Sequence, residues 1–128
     1  MAASNVTAGG LTNYTRPLVD NLLSGSADVL TEGGYTVGAT AIPALRTVGV
    51  ITATGLLAPH NPAAVDGSQN LVGAMVYAGA ANSTGNSVYI AGQFNHDALT
   101  WDATLTTLAL RRAQCRRTAF FVGSISAT

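Results

Sequence analysis

Three side chains in this sequence could support nucleophilic chemistry: the thiol of Cys115 and the imidazoles of His60 and His96. A thiol–imidazole pair works when the base stands within hydrogen-bond reach of the nucleophile. No local signature joins them, and Cys115 falls on the apolar side of a helical periodicity, where a thiol is a packing group. His96 and Asp97 could offer adjacent metal ligands. However, His60 is the only other imidazole, and neither an HxH nor an HxxxH spacing occurs. Asp97 reads as a helix N-cap and His96 as a loop residue. The acids Asp20, Asp28, Glu32, Asp66, Asp97 and Asp102 are dispersed, so a general acid–base pair would have to be assembled by tertiary structure. They read as solvated loop and cap carboxylates. The basic residues are all arginine (Arg16, Arg46, Arg111, Arg112, Arg116, Arg117), which excludes a Walker lysine, a Schiff base or a lysine base. Arg111, Arg112, Arg116 and Arg117 could take a phosphate. Without interleaved aromatics they read better as cations at a helix C-terminus, favoured by about 0.3–1 kcal/mol each. The expectation is no catalytic residue, no metal and no cofactor.

The background against which these residues stand is unusual. Charged residues make up 9% of the 128-residue chain, against roughly 25% in an ordinary soluble domain. Formal net charge is zero. A neutral surface lacks the self-repulsion that keeps subunits apart, which favours a chain that works packed against something. Nucleic acid and anionic membranes reward clustered positive charge, and neither is expected as a partner. The single cysteine excludes an internal disulfide and suits synthesis in a reducing cytoplasm. The opening MAASNVTAGG has no basic or apolar signal region, and no long apolar run predicts a membrane span. The sequons at Asn5, Asn13 and Asn82 are therefore read as chance.

The elements that must position these groups are mainly strands. Residues 1–16, rich in Ala, Ser, Thr, Asn and Gly, read as a flexible arm, and 17–128 as one domain. Pro17 to Leu23 suits a short helix or an irregular cover. Tyr35–Val37 and Thr47–Thr54 have the β-branched content of strands, whereas Gly55–Gly67 reads as a loop. Leu71–Ala78 and Ser87–Phe94 predict an antiparallel hairpin across the turn formers Gly79–Asn86. From Asp97 to Cys115 the period changes: Ala98, Trp101, Leu105, Leu108 and Cys115 share a helical face, with Asp102 in the first turn. Thr118–Ile125 predicts a closing strand.

The order of residues in the second half resembles the head decoration proteins of lambda-type bacteriophages. Leu71-Val72-Gly73-Ala74-Met75 is similar to that family's Val-Gly strand. Tyr89-Ile90-Ala91-Gly92-Gln93-Phe94 is similar to its aromatic-x-x-Gly-x-Phe strand, and Leu99-Thr100-Trp101 to its Leu-Trp helix start. Arg116-Arg117-Thr118-Ala119-Phe120, followed by Gly123-Ser124-Ile125-Ser126, resembles its basic-Arg-Thr-Ala-Phe segment and last strand. The resemblance marks Gly73, Gly92, Phe94, Trp101, Arg117, Thr118 and Phe120 as structural motif residues.

What the resemblance implies is a β-clip-like domain with little helix, assembled as a homotrimer at three-fold sites on the outside of an expanded head. It would act as a cement protein of the virion, with itself and the major capsid protein as partners. Val6, Thr7, Thr12, Tyr14 and Thr15 give the arm strand-forming side chains but no apolar periodicity, so a partner edge must order it. The resemblance suggests that this edge is a capsid loop. Two other readings compete. A trimeric surface adhesin would bind host cells, and a small trimeric hydrolase would need a polar site around Asp66 or Asp97.

Overall fold

The computed structural model describes residues 22–25 and 27–125. In chain order these form β1 (Leu30–Tyr35), β2 (Thr47–Val50), β3 (Leu57–Pro59), β4 (Gly73–Met75), β5 (Asn86–Asn95), a 3-10 turn (His96–Ala98), α1 (Leu108–Cys115) and β6 (Ala119–Gly123). The molecule is mainly β with one α-helix, as its strand-rich composition predicts. The strands make one sheet in the order β1-β5-β4-β2-β3, antiparallel throughout, and β6 adds to β5 in parallel.

Successive residues of a strand point to opposite faces, and the sheet uses both of them. Ala74 and Tyr89 face one core, built with Phe94, Trp101, Leu105 and Phe120. Their chain neighbours Met75 and Val88 face a second, with Val37, Ile42, Val48 and Leu57. The shortness of β4 reflects one close approach. A Cβ on Gly73 would stand 1.8 Å from the Tyr89 carbonyl oxygen, so only glycine lets the strands pair there.

The predicted hairpin forms, with Ala74 opposite Tyr89 and Met75 opposite Val88. Its regular strands are Gly73–Met75 and Asn86–Asn95. In the connection Asn82 and Gly85 take positive φ, and the Asn86 amide donates to the carbonyls of Tyr35 and Ser83.

Several expectations need correction. The run Thr47–Thr54 is a strand only to Val50, because the amides of Thr54 and Gly55 turn back onto the Ile51 carbonyl. The segment read as a loop, Gly55–Gly67, contains β3, which pairs with β2. Pro59 is tolerated there because β3 is an edge strand. The strand expected at Tyr35–Val37 lies earlier, at Leu30–Tyr35, and Val37 makes only an isolated bridge to Leu57. Of Pro17–Leu23 only Leu22 and Leu23 are described: Leu22 is buried in the core without regular structure, which fits an irregular cover, and Leu23 makes an isolated bridge to Phe94. The arm and residues 17–21 lie outside the described residues.

The helix expected over Asp97–Cys115 does not exist as one element. Thr100 is held in extended chain: its amide donates to Leu45, its carbonyl accepts from Thr47, and it bridges Arg46. The Asp102 carboxylate takes the amide and hydroxyl of Thr104, a local turn that competes with helix. Helix begins only after Thr107, whose hydroxyl oxygen accepts from the Leu110 amide. Asp97 is not a cap either; Asn95 caps the 3-10 turn by accepting from the Asp97 amide. The periodicity still marks core positions, since Trp101, Leu105 and Cys115 are buried and Ala98 and Leu108 pack against them.

Candidate functional site

Both histidines and the cysteine thiol are buried and hydrogen-bonded within the fold. His60 follows β3 and is fully buried. Its amide donates to the Thr47 carbonyl, and its Nε2 donates to the Gln69 carbonyl at 3.1 Å. Its own carbonyl accepts from Arg46 at 3.0 Å. Arg46 stands 4.0 Å from the Asp102 carboxylate, so one cation ties β2 to the segment before α1. Burial pulls the His60 pKa down, and the neighbouring Arg46 charge adds to it. The ring is a neutral strut inaccessible to substrate. It lies in the loop after β3, as expected, but its burial was not legible because its neighbours Pro59, Asn61 and Pro62 are turn formers.

His96 is the second knot. Arg111 Nη1 donates to its Nδ1 at 2.8 Å, and since a guanidinium has no acceptor, the ring proton belongs on Nε2, 3.4 Å from the Ser124 hydroxyl. The same arginine pairs with Asp97 at 3.4 Å and donates through Nε to the Leu105 carbonyl at 2.9 Å. Arg111 was expected to serve the helix C-terminus; it instead sits in the first half of α1 and closes the irregular segment before it. Cys115 is buried, its thiol 3.4 Å from the Arg111 carbonyl, and burial pushes its pKa up to about 12. The thiolate needed for nucleophilic attack is suppressed. Asp66 is spent on the amide and hydroxyl of Ser68, which hold its pKa down as a turn carboxylate. Among the described residues no group of three or more His, Cys, Asp or Glu could hold a metal ion. No helix there is long and apolar enough to cross a membrane.

The motif residues are scaffold with one exception. Phe94 and Phe120 stack at 4.6 Å between ring centres, and Tyr89 tilts against Phe94 at 5.3 Å. Gly92 bends β5 at φ +134° with its backbone against the Phe94 ring. Thr118 turns the chain from α1 into β6, its hydroxyl bonding the carbonyls of Cys115 and Phe120. Trp101 and Gly73 are buried. Arg117 alone is exposed, on a polar groove of about 680 Å³ with Arg116, Gln114 and Asn70. Val6, Thr7, Thr12, Tyr14 and Thr15 lie outside the described residues.

The outward features are surfaces. β1 is exposed along nearly its whole length, with only Tyr35 partly buried. Val65 is 94% exposed at the tip of the loop after β3. Phe121 projects from β6 beside Arg112 and Arg116. The sheet is packed on both faces, with both histidines and the thiol buried in it.

The chain belongs to the family of the bacteriophage lambda head decoration protein D, whose family model matches residues 11–121. The match extends well beyond the C-terminal motifs to include β1 to β3. The role is accordingly structural, decoration of a phage head as a component of the virion capsid. No curated protein matches the chain.

Proposed function

We propose that this chain is a cement protein that binds as a homotrimer at three-fold sites on the outer face of the expanded head. There it stabilises the shell against the pressure of packaged DNA. The observation that carries this reading is the family match across residues 11–121, joined to burial of both histidines and the thiol in the fold. A trimer that touches several capsid subunits holds them at high effective concentration, so many weak contacts resist separation together. In this reading residues 17–128 are the β-clip-like domain, made in the host cytoplasm. Residues 1–16 are an arm that adds to an edge of the major capsid protein through Val6, Thr7, Thr12, Tyr14 and Thr15. Nucleic acid and membrane play no part.

The test is to mix purified protein with empty expanded heads and image them by electron cryomicroscopy. Three copies around each three-fold site, and heads that survive heating better than bare ones, are the expected results. Density elsewhere, or sedimentation with host cells in preference to heads, overturns the reading.

A further inference from the structure

Among the described residues, part of the charge makes no ion pair. Arg46 pairs with Asp102 and Arg111 with Asp97. Among the described residues Arg112, Arg116 and Arg117 then remain without an ion pair, as do Asp28, Glu32 and Asp66. Most of these lie on opposite edges of the sheet. At Ala91 of β5, Leu30 of β1 pairs from one side and Ala119 of β6 from the other. Asp28 and Glu32 therefore belong to the β1 edge. Arg112, Arg116 and Arg117 gather where α1 turns into β6.

Each edge also carries an apolar centre. Leu30 is 55% exposed between Asp28 and Glu32, and Phe121 is 51% exposed beside Arg112 and Arg116 in a cleft of about 350 Å³ floored by Cys115 and Val122. The backbone of β6 is closed to a further strand, because Thr118 and Arg112 donate to the carbonyls of Phe120 and Val122. That edge offers side chains only. β1 is exposed and, among the described residues, pairs with β5 alone.

We propose that these edges meet between two copies of this chain: Asp28, Leu30 and Glu32 of one subunit dock on Arg112, Arg116 and Phe121 of the next. The contact has an apolar centre and a charged rim of opposite signs, the usual anatomy of a specific interface. It is heterologous, so it propagates head to tail and closes into a ring when the rotation permits. The inference rests on the homotrimer reading and names the surfaces that make the trimer. Glu32 already accepts from the Tyr35 hydroxyl, which fixes its carboxylate on the edge.

Light scattering of Glu32→Arg, Arg116→Glu and the combined variant tests this, alone and on heads. Each single reversal should weaken trimerisation at least tenfold, and the combination should restore it. Independently, Leu30→Cys and Phe121→Cys in one chain should oxidise to covalent trimers, whereas a mixture of the single variants should stop at dimers. A wild-type trimer that survives both reversals and gives no crosslink overturns the inference and leaves the trimer standing. Variants that trimerise normally but no longer bind heads also overturn it, and assign the edges to the capsid protein. A wild type monomeric both free and on heads removes the trimer itself.

Discussion

The indole Nε1 of Trp101 donates to the carbonyl of His96 at 2.8 Å, and the Arg111 guanidinium lies 5.5 Å from the centre of the same ring. Trp101 thus ties an extended segment to the 3-10 turn before it, and α1 reaches back to cover the joint. The segment between the turn and α1 is ordered by these side chains, since no continuous helical backbone runs through it.

Trp101 is 7% exposed in the larger core. Trp101→Ala is expected to cost about 3–5 kcal/mol, the usual range for a buried Trp truncation. Trp101→Phe keeps most of the packing but strands the His96 carbonyl, a loss of about 1–3 kcal/mol. Urea unfolding of both variants checks the order. Equal losses would place the whole effect in the indole N–H bond to His96, and no loss in Trp101→Phe would place it in the ring's packing.

Gly73→Ala forces a Cβ into the Tyr89 carbonyl, which backbone cannot yield without separating β4 from β5. Insoluble or unfolded protein is expected. Gly85→Ala meets open space and is strained only by its φ of +71°, costing about 1 kcal/mol. Expression and thermal unfolding distinguish them.

Because burial lowers the pKa of His60 in the fold, the unfolded ring takes up a proton near its ordinary 6.5 while the folded ring stays neutral. Stability should therefore fall as pH drops below about 6.5, down to the point where the folded ring itself protonates. Asp66 and Asp102 have folded pKa values below the ordinary 3.8, so the stability they add is present above 3.8 and lost only on further acidification. Unfolding free energies measured between pH 7.5 and 4.5 should slope in the wild type and flatten in His60→Gln. A parallel slope in both places the titration elsewhere.

Deletion of residues 2–15 is expected to leave folding and trimerisation intact while strongly weakening attachment to heads. Circular dichroism, light scattering and co-sedimentation with heads measure the three quantities. Undiminished decoration would move the capsid contact off the arm and onto the domain.

The hairpin was legible where turn formers join two apolar segments, as between Gly73–Met75 and Asn86–Asn95. The closing strand was legible too, though not its parallel pairing, which depends on α1 carrying the chain back. Trp101, Leu105 and Cys115 were placed correctly in the core from one helical period, though only Cys115 lies in α1 and the backbone at Trp101 and Leu105 is not helix. A chain that turns at Asp102 and restarts at Thr107 can return side chains to one side every three or four residues without being helix. His60 could not be read as buried, because its partner Gln69 and its neighbour Arg46 are brought to it by β2 and β3 pairing. The exposure of β1 likewise comes from its place at the end of the sheet order, which no local pattern encodes.

The bridge between Leu23 and Phe94 has a mechanical meaning. The amide of Ser24 donates to the Gln93 carbonyl at 3.0 Å, its hydroxyl to the Phe94 carbonyl at 3.0 Å, and the Asn95 amide to the Leu22 carbonyl at 2.7 Å. These bonds lie across the strand direction, side by side, at the end of β5 that also carries β6 on its other flank. A tug on the chain ahead of Leu22, directed along the strand, loads them together in shear and passes into the middle of the sheet. Under the proposed attachment of the arm to the capsid, strain in the shell would thus reach β5, which is paired on both flanks, before it could unzip an edge.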